Sequence, residues 1–124
     1  MSTTDTPIWL THFLAPQHAL SKYDIMQWQG SGSADTPGAD AVCRMLLCLG
    51  EDGQRIKHAA FEVFGPPVAV ACADWACEWL SDRTIAAARS LSVKDFEQAL
   101  ALAPSQRYAA LLVADALAEA FRCL

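Results

Sequence analysis

The stretch from Phe61 to Leu80 constrains the fold of this 124-residue chain more than any other. It begins with large apolar residues at alternate positions, as a half-buried strand does. The sequence Gly65-Pro66-Pro67 interrupts this alternation, and the residues that follow are almost all apolar apart from Asp74 and Glu78. Proline cannot donate a hydrogen bond to a sheet, but it is tolerated in the first turn of a helix. The stretch therefore predicts a strand that turns into a buried helix, with residues 65–67 as the first place to look for a functional site.

The patterns around this stretch predict an α+β domain, in which helices pack on one face of a small three-stranded antiparallel sheet. The predicted order is a short helix over residues 8–14, an edge strand over 23–29, a flexible loop over 30–38, strands over 42–49 and 55–64, and four helices that begin near residues 67, 85, 93 and 104. Ser92 and Asp95 resemble a capping box at the start of the third of these helices. The length predicts a single domain over residues 1–124, with residues 1–6 disordered.

Charge and hydropathy exclude two classes of partner. The net charge of -5 provides no basic stripe that could neutralise phosphates, so no nucleic-acid partner is expected. No apolar run is long enough to cross a bilayer, and the first residues lack the features of a signal peptide. A cytoplasmic protein without a membrane partner is the expectation.

The five cysteines, Cys43, Cys48, Cys72, Cys77 and Cys123, are predicted to be free thiols that serve as small core residues. Cys72 and Cys77 lie five residues apart, so on one helix they would point about 140° away from each other. Cys43 and Cys48 would lie on opposite faces of one strand. Neither pair is predicted to bind a metal, and no nucleophile with a nearby base is recognisable, so the chain is not expected to be an enzyme.

Several short motifs, in order over about a hundred residues, resemble the iron-sulfur cluster assembly scaffold family of the IscU and NifU N-terminal type. The segment Trp9 to Phe13 followed by Pro16 is similar to the opening helix and Asn-Pro turn of that family. The other motifs that carry the resemblance are Gly38-Ala-Asp-Ala-Val42, Glu51-Asp-Gly53, Ala59-Ala-Phe61, Phe64-Gly65, Glu78-Trp79, Thr84 and the run from Leu111 to Leu117.

The resemblance implies a cluster site built from three cysteines, a histidine and an aspartate, which binds an iron-sulfur cluster or zinc. In this chain the first cysteine position falls at Ala39, or at Gly38 if the loop slips by one residue, and the second falls at Pro66. The histidine and third cysteine fall at Tyr108 and Ala109, and Asp40 retains a ligand type in the slipped register. Proline and alanine offer no metal-binding atom, so neither a metal nor a cofactor is expected at this site.

Two functions follow as hypotheses. In the first, the chain is a degenerate scaffold that cannot hold a cluster at the family's site and works as a non-catalytic accessory or partner-binding protein. The resemblance implies iron-sulfur assembly proteins such as a cysteine desulfurase as partners. If the former ligand site serves as an interface, Tyr108, Pro66 and Pro67 are its expected residues, because tyrosine is enriched at binding hot spots. In the alternative, the chain is an adaptor or a homo-oligomeric binding module unrelated to iron-sulfur metabolism.

Overall fold

The computed structural model of the chain describes residues 6–20, 28–36, 38 and 40–124. Its elements are α1 (Leu10–Leu14), β1 (Gly30–Thr36), β2 (Ala41–Leu49), β3 (Ile56–Phe64), α2 (Pro67–Leu80), α3 (Ile85–Ala88), α4 (Val93–Leu100) and α5 (Arg107–Arg122), with a 3₁₀ turn at Pro104–Gln106. The predicted disorder of residues 1–6 and the predicted site position Ala39 lie outside the described residues, apart from Thr6. The predicted strand over residues 23–29 also lies outside them except for residues 28 and 29, which precede β1.

The three strands form an antiparallel sheet in the order β1-β2-β3, which confirms the predicted fold class. Alternate residues of β2, namely Cys43, Met45 and Leu47, are fully buried on the face that α2 and α5 cover. Cys48 belongs to the alternate set of β2 residues, which point to the opposite face, and it is half-buried. None of the helices in the described ranges combines the length and the apolar character that crossing a bilayer requires.

The predicted flexible loop at residues 30–38 is wrong for most of its length, because residues 30–36 form β1. This strand pairs with β2 from Gly30 opposite Leu47 to Thr36 opposite Ala41. Its glycines allow α5 to approach the sheet closely. A Cβ atom added to Gly32 would lie 2.3 Å from the backbone nitrogen of Ala120. Glycine at this position lets two backbones pack closely. In the sequence alone, such a glycine looks the same as a glycine in a flexible loop.

The turn from β3 into α2 has the predicted form. Pro66 is the N-cap residue, Pro67 opens the helix, and nine residues of α2 are buried. The predicted capping box of α4 is also present through the hydrogen bond that its acidic residue accepts. The Ser92 backbone N–H donates to Asp95 Oδ2 at 2.9 Å. The ring centroids of Trp75 in α2 and Phe96 in α4 are 5.0 Å apart, edge to face. The central helix is thereby fixed between the sheet and α4.

Replacing Gly32 by alanine is expected to lower the free energy of unfolding by about 1–3 kcal/mol, because the new Cβ overlaps the backbone of α5. Gly38→Ala is the matched control, since no atom lies within 4 Å of a Cβ added there. Denaturant unfolding of both variants measures the difference. Equal midpoints for the two variants would contradict the close contact of β1 with α5.

Candidate functional site

The candidate site is the corner where β3 turns into α2, next to the residue that precedes β2. Val42 pairs with Phe64, so Asp40 and Gly65 lie just beyond the ends of two neighbouring strands. A Cβ atom added to Gly65 would lie 3.0 Å from Ala41 Cβ and 3.9 Å from the carbonyl oxygen of Asp40. Asp40 is exposed and adopts a left-handed backbone conformation, with φ of 49°. The structure thus brings together Asp40 and Gly65, which are 25 positions apart in the numbering.

Two prolines form the helix side of this corner. Pro66 is half-buried, and its carbonyl oxygen accepts a hydrogen bond from the Ala69 backbone N–H at 2.9 Å. Pro67 is exposed at the first position of α2. Neither residue has a backbone N–H or a side-chain donor atom, and the Pro66 carbonyl is bonded within the helix, so this end of α2 presents pyrrolidine rings rather than metal ligands.

Tyr108 and Ala109 lie in the first turn of α5. Ala109 is fully buried, whereas Tyr108 is half-buried and packs against the core. Burial raises the pKa of the Tyr108 hydroxyl, and a smaller contribution from Cys72 raises it further. The Tyr108 hydroxyl therefore stays protonated at neutral pH.

The donor atoms at these positions are the Asp40 carboxylate and the Tyr108 hydroxyl. Oxygen ligands of this kind suit hard cations better than the iron of an iron-sulfur cluster, which prefers thiolate ligands. Within the described ranges, no group of three or more His, Cys, Asp or Glu side chains is placed to hold a metal ion. The described positions 40 and 66 thus lie at the corner and 108 and 109 lie in the first turn of α5, and the four positions offer two side-chain oxygen donors.

Three thiols lie in the core between the sheet and α2. Cys43, Cys72 and Cys77 are each fully buried. Burial raises the pKa of Cys43 and of Cys72 to about 12, and for Cys43 the neighbouring Cys72 adds to the effect. The pKa of Cys77 is raised by burial first, and then by Asp74 and Cys43. Cys43 thus lies within electrostatic range of both helix cysteines, an arrangement that the angle between Cys72 and Cys77 did not predict.

A polar cluster that the sequence analysis did not predict lies on another side of α2. Asp74 is 2% exposed, and its Oδ2 is 2.7 Å from Nδ1 of His12. The sequence contained one signal for it, an acidic residue within the apolar run that follows the prolines. His12 and Asp74 are far apart in the chain, so only the packing of α1 on α2 reveals the pair.

The core thiols are expected to resist alkylation at neutral pH while the protein is folded, because a buried thiol with a pKa of about 12 forms almost no thiolate. Iodoacetamide should label the half-buried Cys48 and the exposed Cys123 first. Mass spectrometry of labelled peptides measures this, with the protein in denaturant as the control in which all five react. Rapid labelling of Cys43 or Cys72 in the native protein would show that the core opens locally.

The same raised pKa values predict a loss of stability in alkali. Below the ordinary thiol pKa of 9.0 both the native and the unfolded thiols are protonated, so this contribution is constant there. Above that pH the unfolded chain releases protons that the native chain keeps until about pH 12, so the free energy of unfolding falls. Denaturant titrations at about pH 8 and about pH 10 test this. The fall should be smaller in Cys72→Ala, and an equal fall would assign it to other groups.

Comparison with known proteins places this geometry in a family. The family model described as NifU-like N terminal domain matches residues 6–122. The iron-sulfur cluster assembly scaffold protein IscU of Azotobacter vinelandii is 30% identical over 93 residues, which cover 75% of this chain and 72% of that protein. Iron sulfur cluster assembly protein 1 of Encephalitozoon cuniculi is 28% identical over 111 residues, covering 90% and 79% of the two chains.

Solved structures share the fold. A nitrogen-fixing NifU-like protein (N-terminal) from Brucella abortus superposes with a TM-score of 0.69 at 14% identity, over 93% of this chain and 90% of that chain. A protein from Fervidobacterium islandicum AW-1, described as an assembly scaffold for the SUF system, gives a TM-score of 0.73 at 11% identity, over 92% and 93%. At these identities the likeness concerns the fold alone.

These matches correct the prediction that no cofactor is expected. That prediction depended on Pro66 and Ala109, which lack ligand atoms, and it treated the remaining cysteines as inert. The relatives that align with most of the chain are named for iron-sulfur cluster assembly, and the chain retains thiols of the type that binds such clusters, so the absence of a cofactor was wrongly inferred from two positions. With its family model spanning residues 6–122, the chain belongs to the NifU-like N-terminal domain family, the iron-sulfur cluster assembly scaffolds of the IscU type.

Proposed function

We propose that this chain works in iron-sulfur cluster assembly as an accessory, non-catalytic member of the scaffold family, folded as one domain, which binds assembly partners at the corner of Pro66, Pro67 and Tyr108. The observation that carries the proposal is the chemistry of that corner. At the positions where the family resemblance expects cysteines, Pro66 and Ala109 have no atom that could bind iron. What the described positions present instead is the exposed Pro67 at the start of α2 and the half-buried Tyr108 in the first turn of α5.

The corner is suited to protein contact for a physical reason. Pro66 and Pro67 have fixed φ angles, so little backbone entropy is lost when a partner packs on them. Tyr108 combines a large apolar ring with a hydroxyl, and tyrosine is enriched among the residues that dominate binding energy. A cysteine desulfurase or another iron-sulfur assembly protein is the proposed partner, because the family members named above are assembly scaffolds.

An iron-sulfur cluster is, in this proposal, cargo that takes its ligands from positions other than 66 and 109. The Asp40 carboxylate and the Tyr108 hydroxyl are the oxygen donors among the site positions. Cys72 lies in the second turn of α2, and it also contributes to the raised pKa of the Tyr108 hydroxyl. Its burial and high pKa mean that it could bind iron only after the core opens around it.

Binding of a purified cysteine desulfurase tests the interface. Tyr108→Ala is expected to weaken binding by about thirtyfold, the effect of losing a contact worth about 2 kcal/mol. Leu111→Ala is the matched control, because Leu111 is an exposed apolar residue in the next turn of the same helix. Unfolding midpoints are measured in parallel. Loss of stability without loss of binding would make Tyr108 a packing residue and contradict the proposed interface.

Restoring the missing thiols tests the account of the cluster. The triple variant Ala39→Cys, Pro66→Cys, Ala109→Cys is expected to bind more iron and sulfide than the parent during anaerobic reconstitution, because thiolates are the ligands that clusters require. Bound iron, bound sulfide and visible absorbance are measured for both proteins. A parent protein that loads as fully as the triple variant would show that the corner is not degenerate.

A further inference from the structure

We propose that residues 9–20 form a strap that opens as a unit from the folded domain, with the carboxylate of Asp74 as the clasp that holds it closed. This inference goes beyond the proposed function and does not depend on it. The strap comprises α1 and the extended segment that follows, and it lies against α2 and one edge of the sheet.

The strap has little apolar attachment of its own. α1 has five residues, none of them buried, and no side chain caps its first turn. A helix of this length is not stable in isolation, since forming the first turn costs more than so few hydrogen bonds return. Leu14 is 69% exposed, and Trp9 is only partly buried against the core. Because Trp9 and Ala19 are only partly buried against the core, polar contacts supply much of what holds the strap in place.

Asp74 supplies those contacts from the middle of α2. Its Oδ1 accepts hydrogen bonds from the backbone N–H groups of Gln17, at 2.8 Å, and His18, at 3.0 Å. Its Oδ2 is 2.7 Å from Nδ1 of His12, and because a carboxylate only accepts, the imidazole donates. One buried carboxylate thus joins α1 to the segment after it. Hydrogen bonds to a charged acceptor in a buried site are among the stronger ones in proteins.

The geometry also makes release of the strap feasible without unfolding the core. The cavity around Asp74 is lined by strap residues Thr11, His12, Ala15, Gln17 and His18 on one side and by Glu78 on the other. If the strap leaves, water reaches the Asp74 carboxylate, so no unpaired charge stays buried. If the carboxylate is removed while the strap stays, the N–H groups of Gln17 and His18 lose their acceptor. The position of the strap is therefore coupled to this one side chain.

Opening would uncover part of the edge of β3. The Phe61 backbone N–H donates to the His18 carbonyl oxygen at 3.1 Å, and Ala19 forms a parallel bridge with Phe61. Beside this contact lies an apolar cleft between the strap and the strand, lined by Pro16, Ala19, Val63, Phe64 and Val70. A strap that opens exposes the backbone N–H of Phe61 and the buried side of this cleft, so Asp74 controls access to the strand edge.

Hydrogen exchange of the full-length chain tests the clasp. Asp74→Ala is expected to speed exchange at the amides of Gln17, His18 and Phe61 by about tenfold or more, as the loss of hydrogen bonds to a charged acceptor implies. The buried amides of α5 should exchange as in the parent. The matched control is Asp95→Ala, which removes a carboxylate that also accepts a backbone N–H, but in α4.

Two results would overturn the proposal. Equal acceleration in the strap and in α5 would make Asp74 an ordinary contributor to global stability, and unchanged exchange in the strap would show that other contacts hold it. Should Asp74→Ala fail to fold, His12→Ala removes one of the three hydrogen bonds without altering the core. It is expected to accelerate exchange in the strap by a smaller factor, and unchanged strap exchange in His12→Ala would equally contradict the clasp.

Discussion

The close packing of α5 against β1 is the constraint on which the rest of the domain depends. The backbones of the two elements meet at Gly30 and Gly32, where a side chain would overlap the helix. This contact brings the buried face of α5 onto the sheet, and it fixes where the first turn of that helix lies. Tyr108 and Ala109 owe their positions to it, as do the buried residues Val113 and Ala116 further along the helix.

In this fold, the residues at the corner and the cysteine thiols lie in different places, whereas an assembly scaffold would bring such groups together. The corner at the start of α2 carries proline rings and a carboxylate, the Tyr108 phenol lies in the first turn of α5, and the thiols of Cys43, Cys72 and Cys77 lie in the core. Burial keeps Cys43 and Cys72 protonated, since a thiolate in an apolar interior would lose its hydration without gaining a partner. The family fold is thus retained, with the core thiols buried and protonated rather than exposed as thiolates.

Asp74 shows how a helix can carry a buried charge without a large penalty. The carboxylate accepts three hydrogen bonds from the segment that covers it, so its lone pairs are satisfied while the segment is in place. The buried Asp74 carboxylate is stabilised only while the strap covers it, and the strap stays in place only while the carboxylate accepts its hydrogen bonds. Such mutual dependence between one acidic group and a short peripheral element is a means of making a local element movable while the core stays rigid.

The sequence by itself determined the local features of this protein. Alternating apolar residues identified β2 and β3, the two prolines fixed the start of α2, and Ser92 with Asp95 marked the start of α4, because each of these signals acts within a few residues. Family membership could also be predicted, since the short motifs of the family occur in order over most of the chain.

The tertiary structure decided the rest. Gly30–Thr36 forms a strand because it pairs with β2, and its glycines let α5 approach the sheet. His12 pairs with Asp74 because α1 packs on α2. The absence of a cofactor was wrongly inferred from single positions, whereas the relatives that align with most of the chain are named for iron-sulfur cluster assembly. These outcomes depend on contacts between residues far apart in the chain, and no local pattern encodes such contacts.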